Sequence, residues 1–257
     1  MTNFFSKLQI LLKSRKVFKN WYIYPKIYFK LTNKEFAIFE TKFGQKIKIR
    51  VNSTDLMALT HVWLIEEYMR EKFEIKSNDI VIDVGAHIGL FTIYAAQSCK
   101  GGNIYSYEPV KENFEILKAN MAINNLQNVK IFNSAVSNSN STITLFMNND
   151  ESGHSMFSES SENIIVNSTS LMKIFDENNI EKCDFLKLDC EGTEYEIIEK
   201  LPSKYFEMIE KIVIEYHMFD LHPELLEKLK NKLLKNNFKF EMKTLFSDIG
   251  FLYAVKN

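Results

Sequence analysis

The chain has 257 residues, 46% of them hydrophobic and 25% charged, with a formal net charge of −1. That length holds one large domain or two small ones and buries a core without disulfide or metal, while eight glycines and four prolines exclude collagen-like and low-complexity chains. Three cysteines without CxxC spacing argue against a disulfide framework or zinc ribbon and fit a reducing, cytoplasmic compartment; no apolar run is long enough to span a bilayer, and no signal peptide is read at the start.

Charge is uneven along the chain. Residues 1–34 carry seven lysines and Arg15, with no acid. They also hold Phe4, Leu8, Leu11 and Phe18 near one helical face, with Trp21, Tyr22, Tyr24, Tyr28 and Phe29 following. Two readings fit: a helix packed on the domain with a solvated basic face, or a basic, aromatic segment resting on an anionic membrane. No nucleic-acid motif is present and the net charge is not basic, so no nucleic-acid partner is expected. Residues 1–50 are read as an N-terminal extension and 51–257 as the main domain.

Residues 35–51 alternate around Gly44 and predict a hairpin. Residues 54–72 predict a helix capped by Thr54 or Asp55. The continuous apolar run 80–84, IVIDV, predicts a strand buried on both faces. A helix follows the glycine turn, then a strand over 103–109, a helix over 111–124, a strand over 129–136 and another over 141–148. Residues 148–163 read as a polar loop. Next come a helix near 170–179, a strand 184–189, a helix 193–200, a strand 211–216 and a helix 223–236. Strands near 238–243 and 251–256 finish the chain. Alternating strands and helices predict an α/β fold with a mostly parallel sheet and helices on both faces, whose ligands sit at the carboxyl ends of the strands.

The first of these ends reads Asp83-Val84-Gly85-Ala86-His87-Ile88-Gly89. A dinucleotide fingerprint needs glycines at G-x-G-x-x-G, but those places here hold Gly85, His87 and Leu90. Glycines four apart, with an acid two before the first, suit a tight turn around a sulfonium cofactor without phosphate. S-adenosylmethionine is therefore favoured over a nicotinamide cofactor, which stays as the alternative. Glu108, about two dozen residues on, ends the second strand where a carboxylate accepts ribose hydroxyls. Asp83, Gly85, Ala86, His87, Gly89 and Glu108 form the expected cofactor set.

With these residues in view, the chain resembles the FkbM-type methyltransferases. The resemblance is carried by DVGAHIG, by YEP at 107–109, and by KLDCEGTE at 187–194, against a family pattern of roughly K-I-D-V-E-G-x-E. Cys190 fills the apolar slot, and it is read as buried rather than nucleophilic. SGHSM (152–156), with Met156 where a second serine is common, resembles the family's polar loop, where His154 and Ser155 would face cofactor or acceptor. IEYH (214–217) and TDLMALTHVWLIEEY (54–68) also match, so the likeness covers about 50–257. It implies a Rossmann-like class I methyltransferase fold with a seven-stranded sheet, S-adenosylmethionine as cofactor, and methylation of a hydroxyl on a glycan, glycolipid or related metabolite. Asn133 and Ala135, after the third strand, would then meet the adenine.

Methyl transfer is an in-line displacement helped by alignment, and a hydroxyl acceptor needs a base to take its proton. Asp189 and Glu191 follow one buried strand; Glu215 and His217 end the next. Asp189 and Glu191 are expected to shape the transfer site, with His217 or Glu215 accepting the proton. Glu191 and Glu194 as helix-start acids are the plainer reading. No metal is expected, because these four donors lack the spacing of a metal motif. His61 and His222 read as structural. A non-catalytic, cofactor-binding member at a membrane surface is a further alternative.

Overall fold

The computed structural model describes residues 4–138, 140–146 and 163–257. SGHSM, with His154 and Ser155, lies outside the described residues.

Twelve described strands form three sheets. The central one has seven: β3 (Ile80–Val84), β4 (Asn103–Tyr107), β5 (Val129–Phe132), β9 (Phe185–Leu188), β10 (Lys211–His217), β11 (Phe238–Thr244) and β12 (Ile249–Lys256). Their spatial order is β11-β12-β10-β9-β3-β4-β5. Neighbours from β10 to β5 pair in parallel, and β12 runs antiparallel to both β10 and β11, so six of the seven strands point one way. The chain starts at the centre with β3, builds outward to β5, and returns to the other side with β9. Strand order therefore reverses beside β3, which opens a crevice at the carboxyl ends of β3, β4, β9 and β10.

The apolar runs explain why these segments lie inside. Alternate residues face two cores. Val81, Ile104, Phe185 and Val213 belong to one, and Ile82, Tyr105, Leu186 and Ile212 to the other. The second is closed by α6 (Leu171–Glu177), α7 (Glu194–Lys200) and α9 (Pro223–Lys235). In α9, Leu226, Leu229 and Leu233 recur at helical spacing and are buried, while Pro223 opens the helix and Lys232 and Lys235 close it.

The first core is shared with the N-terminal residues. Helix α1 (Phe4–Val17) and α2 (Ile23–Tyr28) precede the hairpin β1 (Phe36–Glu40) and β2 (Lys46–Arg50), which turns at Gly44. Phe18, Phe39, Ile47 and Ile49 are fully buried against Trp63 and Leu64. The backbone of β2 is clamped to α5 (Lys111–Ile123) by Asn120, which both donates to and accepts from Lys48, and by Asn124 doing the same with Lys46. The buried side of α1 runs through Ser14, not Leu8, which is 43% exposed; the helical face expected from Leu8 is rotated.

Three segments depart from the sequence reading. The helix expected over 54–72 is α3 (Asp55–Leu59) followed by a π-helical turn, Thr60–Ile65. Glu66 ends it in the left-handed region (φ 60°), and the chain then delivers Tyr68 to the crevice. Thr54 makes no capping bond, and Asp55 turns instead to Arg50. The strand expected over 129–136 divides. β5 stays in the central sheet, and β6 (Ala135–Ser137) leaves it to join β7 (Thr142–Phe146) and β8 (Asn163–Ser170). Asn133 sits at the division. β8 has no counterpart in the sequence reading, because NSTS at its end reads as loop; α6 begins after it, capped by Ser170.

Candidate active site

The crevice is a cleft of about 280 Å³ that receives the loops after β3, β4, β9 and β10. Gly85 follows β3 with φ 74°, and a Cβ placed there would lie 1.7 Å from the carbonyl oxygen of Asp189. Only glycine lets the two loops approach this closely. The N–H groups of Gly85 and Ala86 both donate to the Tyr107 carbonyl, which ties the loop to the end of β4. Gly89 (φ 87°) starts α4 (Leu90–Ser98), where a Cβ would lie 2.5 Å from Leu117 Cδ1.

Glu108 is 4% exposed. Its Oε2 accepts from the His87 N–H (2.8 Å), and its Oε1 from the Val110 N–H (2.9 Å). Burial pushes its carboxyl up to about 7 against the pull of those donors. His87 itself is brought down to about 4 by burial and by Arg50. Arg50 Nη2 lies 3.2 Å from His87 Nε2 and donates to Asp55 Oδ1 (2.8 Å) and Asn113 Oδ1 (2.9 Å). The N-terminal hairpin thus braces the glycine loop.

Across the cleft a second group gathers around Lys187, which is 2% exposed in a strand whose four residues are all buried. Its Nζ donates to the Gly85 carbonyl (2.8 Å) and forms ion pairs with Asp83 Oδ1 (3.1 Å) and Asp189 Oδ2 (3.5 Å). Burial opposes its charge, but the two aspartates raise its pKa; at Asp189 burial pulls upward, and Lys187, His217 and the Tyr68 hydroxyl together hold it below its usual range. The Tyr68 hydroxyl lies 2.8 Å from Asp189 Oδ2 and 2.6 Å from Glu215 Oε2. One phenol has one proton, so it satisfies one carboxylate at a time. Burial and the neighbouring Asp189 raise Glu215 to about 7.

His217 is buried. Its ring Nδ1 stands 3.3 Å from Glu194 Oε1, which also accepts the His217 N–H; Glu194 Oε2 accepts the Gly192 N–H. Nε2 faces Glu191 Oε2 at 3.6 Å and Glu215 Oε1 at 3.9 Å. These carboxylates raise His217 well above its ordinary value despite burial, and burial raises Glu191 to about 8. Glu191 and Gly192 are both left-handed (φ 53° and 105°), the turn that brings the Glu191 side chain into the cleft.

Of the residues expected from sequence, Gly85, Ala86, His87, Glu108, Ala135, Asp189, Glu191, Glu215 and His217 line this one cleft. Three do not. Asp83 is fully buried behind it, held by Lys187 and by the Thr92 hydroxyl (2.7 Å). Gly89 is packed on α5. Asn133 donates to the carbonyls of Glu108 and Pro109, bracing the β4 loop from outside.

A family profile described as "Methyltransferase FkbM domain" matches residues 83–240, more than half of the chain. The chain belongs to the FkbM methyltransferases. The expected cofactor, S-adenosylmethionine, and the class I fold stand with that membership, and the nicotinamide alternative falls away. The chain is 23% identical over 190 residues to Methyltransferase sdnD of Sordaria araneosa, covering 61% of this chain and 73% of that protein. It is 38% identical over 53 residues to the 31-O-demethyl-FK506 methyltransferase FkbM of Streptomyces tacrolimicus, covering 21% of this chain and 20% of that protein. The crystal structure of a methyltransferase FkbM from Methylobacillus flagellatus superposes with a TM-score of 0.48 at 15% identity, covering 77% of this chain and 53% of the other.

Lys187, Tyr68, Arg50, Asp55 and Asn113 were not legible as site residues. Lys187 carried two signals, a charge inside an apolar strand and the first place of the KLDCEGTE motif. Tyr68 closes the matching segment 54–68, but nothing there pointed to its partners, which lie 121 and 147 residues away.

Proposed function

We propose that this FkbM methyltransferase transfers the methyl group of S-adenosylmethionine to a hydroxyl oxygen of a glycan, glycolipid or related metabolite. The observation that carries this reading is the cleft's division into two chemically distinct sides. One side offers a glycine turn and the Glu108 carboxylate, which suit an adenosine with two ribose hydroxyls. Asp83, Gly89 and Asn133 support that side from behind: Asp83 through Lys187, Gly89 by letting α4 start against α5, Asn133 by fixing the loop that carries Glu108. Ala135 borders the side where an adenine would rest.

The other side offers Asp189, Glu191, Glu215 and His217, which suit a neutral acceptor that must shed a proton. S-adenosylmethionine supplies an electrophilic methyl on a positive sulfur with a good leaving group. The chain's residues hold the acceptor oxygen in line with that carbon and exclude water, which supplies much of the rate. Asp189, whose backbone meets Gly85 and whose carboxylate is fixed by Lys187 and Tyr68, stands as a charge where the two sides meet. Glu191, the most exposed carboxylate of the group with a side chain 27% accessible, takes the hydroxyl proton. His217, held by Glu194 and facing Glu191 and Glu215, holds the acceptor rather than deprotonating it. The printed name of the Streptomyces tacrolimicus relative, a methyltransferase of an O-demethyl substrate, agrees with an oxygen acceptor.

The reading extends to location. No helix among the described residues is long and apolar enough to cross a membrane. The basic N-terminal segment presents Leu12, Phe29 and Leu31, which are 53%, 64% and 72% exposed. We infer peripheral contact of residues 1–34 with the anionic cytoplasmic face of a membrane, which would bring a lipid-linked acceptor within reach. Because Phe18 is core, the test uses Leu12→Ser, Phe29→Ser and Leu31→Ser together rather than truncation. The triple variant should lose sedimentation with anionic vesicles, and equal partitioning would refute the contact.

The acceptor is tested by incubating the full chain with methyl-labelled S-adenosylmethionine and fractionated glycans and glycolipids, then identifying the linkage in the labelled product. An O-methyl ether is expected. Label found only on nitrogen or carbon would refute the oxygen reading.

A further inference from the structure

We propose that Asp189, Glu215 and His217 form a binding site for a divalent cation of the oxygen-preferring class, Mg²⁺ or Mn²⁺, on the acceptor side of the cleft. The sequence offers no metal spacing, since 28 positions separate the first ligand from the last. The fold supplies the site by placing the ends of the neighbouring parallel strands β9 and β10 side by side.

Three observations carry it. One ligand atom from each residue lies within 4.8 Å of the others. Ligands around one such ion sit about 2.1 Å from its centre, so the set needs to draw in by less than about 1 Å. His217 supplies the second observation. It is 4% exposed, and its Nδ1 is backed by the fully buried Glu194, whose other oxygen is held by the Gly192 N–H. That is how a carboxylate fixes the tautomer and ring plane of a metal-bound histidine. It leaves Nε2 pointing at Glu191 and Glu215 from 3.6 and 3.9 Å, beyond hydrogen-bond reach.

The third observation is charge. Lys187 is shared between Asp83 and Asp189, and His217 stands among Glu191, Glu194 and Glu215, so among the described residues five carboxyl groups meet only these two cationic side chains at the cleft. The single Tyr68 proton serves Asp189 or Glu215, not both. A divalent ion neutralises two carboxylates, and the imidazole gives up its own proton on binding. Two carboxylates and one imidazole match Mg²⁺ or Mn²⁺ better than a thiol-seeking metal. Resting on the methyl-transfer reading, the ion's open positions would take the acceptor hydroxyl oxygen and a water, beside Glu191.

The test titrates Mn²⁺ alone into the full chain and follows the free Mn²⁺ resonance by electron paramagnetic resonance. S-adenosylhomocysteine calorimetry on the same preparations reports that the fold is intact. One bound Mn²⁺ per chain is expected. Glu215→Gln removes a ligand and Glu194→Gln loosens the histidine, and each should weaken binding by about tenfold or more. Absence of Mn²⁺ binding at millimolar concentration, in protein that still binds S-adenosylhomocysteine, overturns the site and leaves the methyltransferase reading standing. Undiminished Mn²⁺ binding in Glu215→Gln also overturns it. A failure of that reading would appear separately, as wild-type protein that binds no S-adenosylhomocysteine.

Discussion

Replacing Glu108 with glutamine isolates the cofactor side of the cleft. In the ligand-free protein, burial lifts the Glu108 carboxyl from 4.5 to about 7. A folded-state value above the unfolded one means that the folded protein favours the protonated acid. The resulting destabilisation is absent below pH 4.5, grows through the interval and is complete above 7. A shift of this size corresponds to roughly 3 kcal/mol at 1.36 kcal/mol per unit. A ligand that donates ribose hydroxyls to the carboxylate favours the ionised form and recovers part of that cost. S-adenosylhomocysteine affinity of the wild type should therefore rise between pH 6 and 7, by at most about tenfold per unit, and level off by pH 8. Glutamine keeps the shape but puts an NH₂ where one oxygen accepts from His87 or Val110. One buried donor is left unsatisfied, at about 1–3 kcal/mol, or about 5- to 150-fold in affinity if the cost falls on the bound state. Calorimetry at pH 6, 7 and 8 measures both effects. Wild-type affinity in Glu108→Gln, or a wild-type affinity flat across that range, would refute the reasoning.

The other predictions concern packing and charge. Gly85→Ala should abolish cofactor binding and lower the melting temperature more than Gly89→Ala, because the first Cβ meets backbone at 1.7 Å and the second the end of a leucine side chain at 2.5 Å; equal effects would show that the two loops do not need their close approach. Lys187→Met leaves Asp83 buried and uncompensated, and denaturant titration should show a loss of about 3–5 kcal/mol, partly recovered by adding Asp83→Asn. Tyr68→Phe should cut turnover while leaving S-adenosylhomocysteine affinity within a few-fold, and a change confined to affinity would remove Tyr68 from the acceptor side. Phe18→Ala should cost about 3–5 kcal/mol in the same denaturant assay, since the ring is fully buried; a negligible loss would make the N-terminal segment an appendage.

Much of this molecule was legible because its parallel strands are buried on both faces and therefore read as short apolar runs. IVIDV and FLKL were found that way, and Asp189 after the second fell at a strand end as the fold requires. What escaped depends on distance in the chain or on local irregularity. β8 ends in NSTS, whose polar residues hide its pairing with β6 and β7. The helix after Thr54 shortens because a π-helical turn and the left-handed Glu66 redirect it, and no propensity marks that change. Tyr68, Arg50 and Asn113 became site residues only when three distant segments met. Asp83 was read as a cofactor residue from its place before Gly85, and the fold sets it one layer deeper, where it holds Lys187.

The central claim is that this cleft binds an adenosyl-sulfur cofactor for methyl transfer. The most direct measurement is a calorimetric titration of the full chain with S-adenosylhomocysteine, with NADH in parallel. The account predicts saturable binding of one S-adenosylhomocysteine per chain and no saturable heat from NADH. Saturable binding of NADH without S-adenosylhomocysteine would contradict it.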